Sequence, residues 1–143
     1  MVQPIKKKKI VWLIPILLLL ISIWLKLPNY SPCSNFSNFG SYEQNGTCII
    51  PDNLVVEGKV DGLPKTLHVK GNLEIKGTSI SNLPSKLRVE GDLFLYKTSI
   101  GSISEDSYIG GNFNYYLGFG SPEIYCDEIP PKAVIKGNTL CQP

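Results

Sequence analysis

Two consecutive stretches of this chain superimpose without a gap at a shift of 20 residues. They read LPKTLHVKGNLEIKGTSISN (63–82) and LPSKLRVEGDLFLYKTSIGS (83–102). A fixed period of this length means one structural unit stacked on copies of itself, each covering the apolar face of the next. A third copy follows, in which Ser107, Ile109, Gly111, Phe113 and Tyr115 take the places of Leu87, Val89, Gly91, Leu93 and Leu95. Upstream, Ile50 to Val60 reads as the first half of a unit only, with the next unit starting at Leu63. Downstream, the spacing stretches to 26 and Ile129 to Cys141 reads as a last half unit. Altered end copies are expected of capping units, because a terminal coil has one face without a neighbour.

Each full unit holds two runs of alternating apolar residues, such as Leu87-x-Val89 and Leu93-x-Leu95. A period of two predicts strands with alternate side chains on opposite faces. Between the runs stand Gly71-Asn72, Gly91-Asp92, Gly111-Asn112 and Gly137-Asn138. Glycine tolerates positive φ, and Asn or Asp bonds its own backbone, so these pairs predict corners. Leu63-Pro64 and Leu83-Pro84 mark boundaries that no helix crosses easily. Strands and turns are expected, with almost no helix beyond the N-terminus.

The unit Leu73-x-Ile75-x-x-Thr78-x-Ile80-x-x-Leu83-Pro84 resembles the core of leucine-rich repeats, as does Leu93-x-Leu95-x-x-Thr98-x-Ile100-x-x-Ile103. The likeness is to a short, bacterial-style variant of about 20 residues, with a second apolar pair on the return limb, and covers roughly 50–141. It implies that the outward strand face is a binding surface. Thr stands where that family usually has Asn, and a single hydroxyl does only part of the amide's bonding inside the turn. A parallel β-helix requires a similar pattern and is the structural alternative.

The formal net charge of +2 is misleading about partners. Five of the fourteen basic residues (Lys6, Lys7, Lys8, Lys9 and Lys26) lie near the N-terminus, leaving nine against twelve acidic ones. No basic stripe remains for nucleic acid. The four cysteines flank the repeat, Cys33 and Cys48 before it, Cys126 and Cys141 at its end. One disulfide in each cap is the simplest pairing of the three possible, and implies an oxidising compartment. Four free thiols and a zinc site are the alternatives; the latter lacks a C-x-x-C pair and has only His68 to draw on.

Ile10 to Leu25 is an uncharged apolar run. Extended through Lys26 and Leu27 it makes 18 residues, about 27 Å of helix against a bilayer core of about 30 Å. Trp12 and Trp24 lie near its ends, and the four lysines ahead of it place that end in the cytoplasm. An uncleaved signal-anchor is expected, with a cleaved signal peptide as the alternative. From Pro28 to Gly46 the chain is rich in Ser, Asn, Pro and Gly and reads as a tether; it holds the sequons of Asn29, Asn35 and Asn45.

Little argues for catalysis. His68 falls at an outward position, with Arg88 and Tyr108 in the same column, and no acid or nucleophile is expected beside it. Glu105-Asp106 and Asp127-Glu128 read as solvated turns, and no phosphate-binding or nucleophile motif appears. One outward column is expected to run Glu57, Lys70, Glu90. Two others run Glu74, Phe94, Asn114 and Lys76, Tyr96, Tyr116. These would gather Phe94, Tyr96 and Tyr116 on one exposed face, rimmed by Glu74 and Lys76, and clustered exposed aromatics favour a contact site. The alternative is that 108–119 folds over them as a cap.

The sequence therefore predicts a mainly β protein: a short leucine-rich-repeat-like β-solenoid with capped ends, preceded by one transmembrane helix. Its expected divisions are a cytoplasmic tail (1–9), a transmembrane helix (10–27), a tether and N-terminal cap (28–49), a solenoid (50–128) and a C-terminal cap (129–143). The expected role is a non-enzymatic, extracytoplasmic binding module for a protein partner, without cofactor or metal. A self-assembling structural solenoid of the cell envelope is the alternative.

Overall fold

The computed structural model describes residues 30–60, 62–116 and 129–142. It is a β-solenoid with a spacing near 20 residues, wound through about three turns that can be followed in full. Each turn contributes one strand to each of two sheets. The first sheet stacks β2 (Thr47–Ile50), β4 (Thr66–Val69), β6 (Lys86–Val89), β8 (Tyr108–Ile109) and β10 (Val134–Ile135), all parallel. The second stacks β3 (Leu54–Glu57), β5 (Leu73–Lys76), β7 (Leu93–Tyr96), β9 (Phe113–Tyr116) and β11 (Thr139–Gln142), also parallel. Among the described residues the third side carries no strand, and closes the core with Ile80 and Leu83, then Ile100 and Ile103.

Alternation along each strand puts one set of side chains inside. Leu54, Leu73, Leu93 and Phe113 stand in register in one inner column, and Val56, Ile75, Leu95 and Tyr115 in the next; all eight are buried. The first sheet adds Ile50, Val69, Val89 and Ile109. The fourth turn swaps two leucines for Phe113 and Tyr115, with rings stacked at 6.5 Å. Buried Ser107 takes the place of Leu87 there. A small residue across from two large ones keeps the interior filled without overpacking.

The register corrects two expectations. Leu54 to Glu57 is the second strand of its turn, paired with Leu73 to Lys76, and the first strand is Thr47–Ile50. The first turn is thus complete in both strands. Either half of a unit reads as alternating apolar residues, and the offset from Leu54 to Leu73 is 19 residues, one short of the repeat; that missing residue hid the match. The column Glu57, Lys70, Glu90 does not form. Glu57 lies beside Lys76 on the other sheet, its carboxylate 3.1 Å from the ammonium.

The Gly-Asx corners also work differently. The side chains of Asn72, Asp92 and Asn112, and of Asn53 before them, bond the next turn instead of their own backbone. Asn53 Oδ1 accepts from Asn72 N–H (2.7 Å), Asn72 Oδ1 from Asp92 N–H (2.8 Å), Asp92 Oδ1 from Asn112 N–H (2.6 Å) and Asn112 Oδ1 from Asn138 N–H (2.9 Å). The preceding glycines do not have positive φ. A Cβ at Gly71, Gly91, Gly111 or Gly137 would come within 3.0 Å of the Asx oxygen of the turn before. Close approach, and not backbone handedness, requires glycine there. Asp52 occupies the corresponding place in the first turn, where no earlier Asx exists, and its own carboxylate accepts Asn53 N–H at 2.9 Å.

The N-terminal end is covered. β1 (Tyr42–Gln44) runs antiparallel to β2 through an Asn45-Gly46 turn in which both residues have positive φ, 51° and 73°. That dipeptide favours tight hairpins for this reason, although its place in a polar tether concealed it. The 3₁₀ segment Cys33–Phe39 packs beside β1 and β2, burying Phe36. A disulfide joins Cys33 to Cys48. Cys141 is also disulfide-bonded; Cys126 lies outside the described residues, as does the apolar run expected to cross a membrane. No helix among the described residues is long and apolar enough for that.

Candidate functional site

The outward face of the second sheet follows from the same alternation. Between the inner columns, the residues at the second place of each strand form one outer column: Val55, Glu74, Phe94, Asn114, Leu140. Those at the fourth place form another: Glu57, Lys76, Tyr96, Tyr116. Phe94, Tyr96 and Tyr116 therefore meet on one side of the molecule. The rings of Tyr96 and Tyr116 are 6.2 Å apart and tilted by 59°. Tyr96 is the most open, at 44% exposure; Phe94 and Tyr116 are half-buried.

Glu74 and Lys76 flank the aromatics on the preceding strand. Lys76 Nζ lies 3.1 Å from Glu57 and 3.5 Å from Glu74. The hydrogen bond to Glu57, with the charges of Glu57 and Glu74, holds its pKa above the usual lysine value. One lysine shared by two carboxylates keeps that end of the face negative by one charge. Beside it runs a shallow groove lined by Glu57, Gly58, Lys76, Gly77, Tyr96 and Lys97. The Lys97 ammonium stands 5.1 Å from the centre of the Tyr96 ring, within the range of a cation–π contact. Tyr108 lies on the other sheet, so it does not cover Phe94; Phe119 lies outside the described residues.

The first sheet presents a different outer column: Ile49, His68, Arg88, Tyr108, Val134. The expectation that His68 has no acid within reach is corrected here. His68 Nε2 is 2.8 Å from Glu90 Oε1, and Arg88 Nε is 3.6 Å from the same oxygen. The hydrogen bond with His68 lowers the Glu90 pKa, aided by the charges of His68 and Arg88 and opposed by partial desolvation. Glu90 sits one turn on and two residues along, a diagonal partner that a search straight down the column misses. Arg88 in turn stacks over Tyr108 at 4.3 Å. The pair supplies an oriented imidazole whose described hydrogen bond goes to Glu90, and Thr47 and Thr66 line the same shallow cleft.

Thr78 and Thr98 stand where leucine-rich repeats usually place Asn. Both are buried. Thr98 Oγ1 accepts from Ile100 N–H at 3.4 Å, a long bond, and Thr78 Oγ1 has no partner. The hydroxyl thus performs little of the amide's role. Among the described residues no three His, Cys, Asp or Glu side chains converge as a metal site would require. Compared with known protein families, curated proteins and solved structures, the chain matches none.

Proposed function

We propose that this protein is a non-catalytic binding module, held at a membrane by its N-terminal segment and displayed on the extracytoplasmic side. Its contact surface is the outward face of β5, β7 and β9, with Phe94, Tyr96 and Tyr116 as anchors and Glu74 and Lys76 at the rim. The observation that carries this reading is the pairing of Tyr96 with Tyr116 at 6.2 Å on the open side of a rigid sheet, with Phe94 on the same strand as Tyr96. Large aromatic side chains gathered on a preorganised surface contribute most to protein contacts when a partner removes them from water. The lysines at 6–9 and the apolar run behind them support the anchor and its orientation.

The sequence pattern supports kinship with leucine-rich repeats, and the parallel β-helix stays beside it. The second sheet, one on each of two sides, favours the latter, since strands and not turns form the return limb.

Self-assembly receives less support. A copy stacked ahead of the first turn would bring an Asx oxygen to the place filled by Asp52, and β1 covers the adjoining edge of the first sheet.

The test uses the full chain with Phe94, Tyr96 and Tyr116 all changed to Ser. Capture of partner proteins from native membranes should fall at least tenfold while circular dichroism stays that of the parent. Undiminished capture by a folded triple variant overturns the proposal.

A further inference from the structure

We propose that Lys97 sets the chemistry of the partner: the segment that lies on the Phe94–Tyr96–Tyr116 face carries a carboxylate, and Lys97 receives it. This inference rests on that face being the contact surface. Its starting point is an irregularity in an otherwise regular column. Glu57, Lys76 and Tyr96 are register partners, so the residues that follow them, Gly58, Gly77 and Lys97, share one place in successive turns. All three have left-handed backbones, with φ of 75°, 59° and 50°. Two are glycine, which adopts this conformation freely; a side chain with a Cβ adopts it only at a cost.

The backbone gives no reason for the exception. Gly77 N–H donates to Tyr96 O at 3.0 Å, and Lys97 N–H donates to Tyr116 O at 3.2 Å. Glycine therefore does the same backbone work one turn earlier. Room gives no reason either, since a Cβ at Gly58 or Gly77 would meet nothing within 4 Å. What distinguishes the third turn is that its strand ends in Tyr96, and the Lys97 ammonium is set over that ring. A strained position kept for its side chain points toward function.

The charges then choose the ligand. Lys76 is occupied by Glu57 and Glu74. None of the ion pairs among the described residues includes Lys97, which is exposed at the end of the groove. An ammonium beside open aromatic rings fits an extended peptide whose sheet-facing side chains, at alternate positions, are two apolar and then one acidic. Its apolar side chains rest on Tyr96 and Phe94, and a carboxylate reaches Lys97. The negative end at Glu57 and Glu74 repels an acidic residue placed there, which fixes the direction of the segment.

The experiment titrates the full chain at low salt with a fluorescein-labelled, C-terminally amidated hexapeptide Phe-Ser-Phe-Ser-Glu-Ser, whose two rings and carboxylate share one face when extended, and with its Gln-for-Glu analogue. The acidic peptide should bind about threefold tighter, the scale of an exposed ion pair. Lys97→Gly should abolish that preference and at the same time raise the melting temperature by about 4 °C, since glycine relieves the backbone. Lys97→Arg should keep the preference. Failure of the unmodified chain to bind the acidic peptide, equal binding of both peptides, or an unchanged preference in Lys97→Gly overturns the inference. The triple aromatic variant separates the two levels. If it still binds both peptides, the contact-face reading itself fails. If it loses both while Lys97→Gly keeps the preference, only the role of Lys97 is refuted.

Discussion

Asn72 Oδ1 accepts the backbone N–H of Asp92, 2.8 Å away and 20 residues later in the chain. Four such bonds run from Asn53 to Asn138 and tie every turn to the next at the same corner. The ladder explains why each corner needs two residue types at once: an Asx to reach forward, and a glycine to leave room for the Asx behind.

Gly91→Ala should therefore be destabilising by about 2 kcal/mol, the scale of overpacking, since its Cβ would meet Asn72 Oδ1 and the Gly71 backbone. Its cost should not add to that of Asn72→Ala, because removing the amide removes part of the clash. A double-mutant cycle by urea denaturation measures the coupling, and strict additivity would contradict the proposed cause.

Thr78→Val should stabilise the fold by about 1 kcal/mol, since it replaces a buried hydroxyl lacking a partner with a methyl of similar size. Ser107→Ala should act in the same direction for the same reason. Thr98→Val should be close to neutral, because the long bond to Ile100 N–H offsets the gain. Denaturation midpoints of the three variants give the order directly.

Much of the fold was legible because stacking repeats a chemical demand. Leu73, Leu93 and Phe113 must all face inward, so apolar residues recur at a fixed interval and the outer columns follow from them. What stayed hidden lies where the interval breaks or a contact runs between turns. The single-residue shortfall between Leu54 and Leu73 disguised a complete turn as half of one. Asn72 was readable as a turn residue, but its acceptor role toward Asp92 depends on a neighbour 20 residues away. His68 and Glu90 are joined diagonally, so neither position signals the other. The outward aromatics needed only alternation, and the sheet gathers them as the columns require. Lys97 stands where the preceding copy has Gly77, but a single departure from the repeat does not show that the left-handed backbone persists without glycine.

Stability should respond to acid through Glu90. The hydrogen bond with His68 lowers its folded-state pKa. The stabilisation is present above the carboxylate's unfolded value and is lost as the pH falls through the lower, folded one. Glu90→Gln should be less stable than the parent at neutral pH, with the gap closing in acid. Lys76 behaves in the opposite sense at the alkaline end. Its folded pKa is raised, chiefly by Glu57, so its contribution is full below the ordinary lysine value and disappears as the pH rises through the raised one. Both groups are exposed, so both effects should be small and should weaken in salt. Thermal melts from acid to alkaline pH, at two salt concentrations, test the signs.

Changing Cys33 and Cys48 together to Ser should cost about 3 kcal/mol, the chain-entropy value for a loop of this length, 15 residues. The loss should appear as a lowered denaturation midpoint and as early hydrogen exchange in β1 and β2, which the bond ties to the 3₁₀ segment. Exchange confined to β10 and β11 would contradict this placement.

The account depends above all on turns that stack with β5 beside β7 in the stated register. Glu74 and Phe94 are direct partners across those strands, and parallel neighbours lie about 4.8 Å apart, within reach of a disulfide. In a chain carrying Glu74→Cys and Phe94→Cys, mild oxidation followed by non-reducing peptide mapping should find the two introduced thiols joined, with the circular dichroism unaltered. If that pair stays unlinked, while the offset pair Glu74→Cys with Tyr96→Cys joins readily, the result would contradict both the stack and the surface built on it.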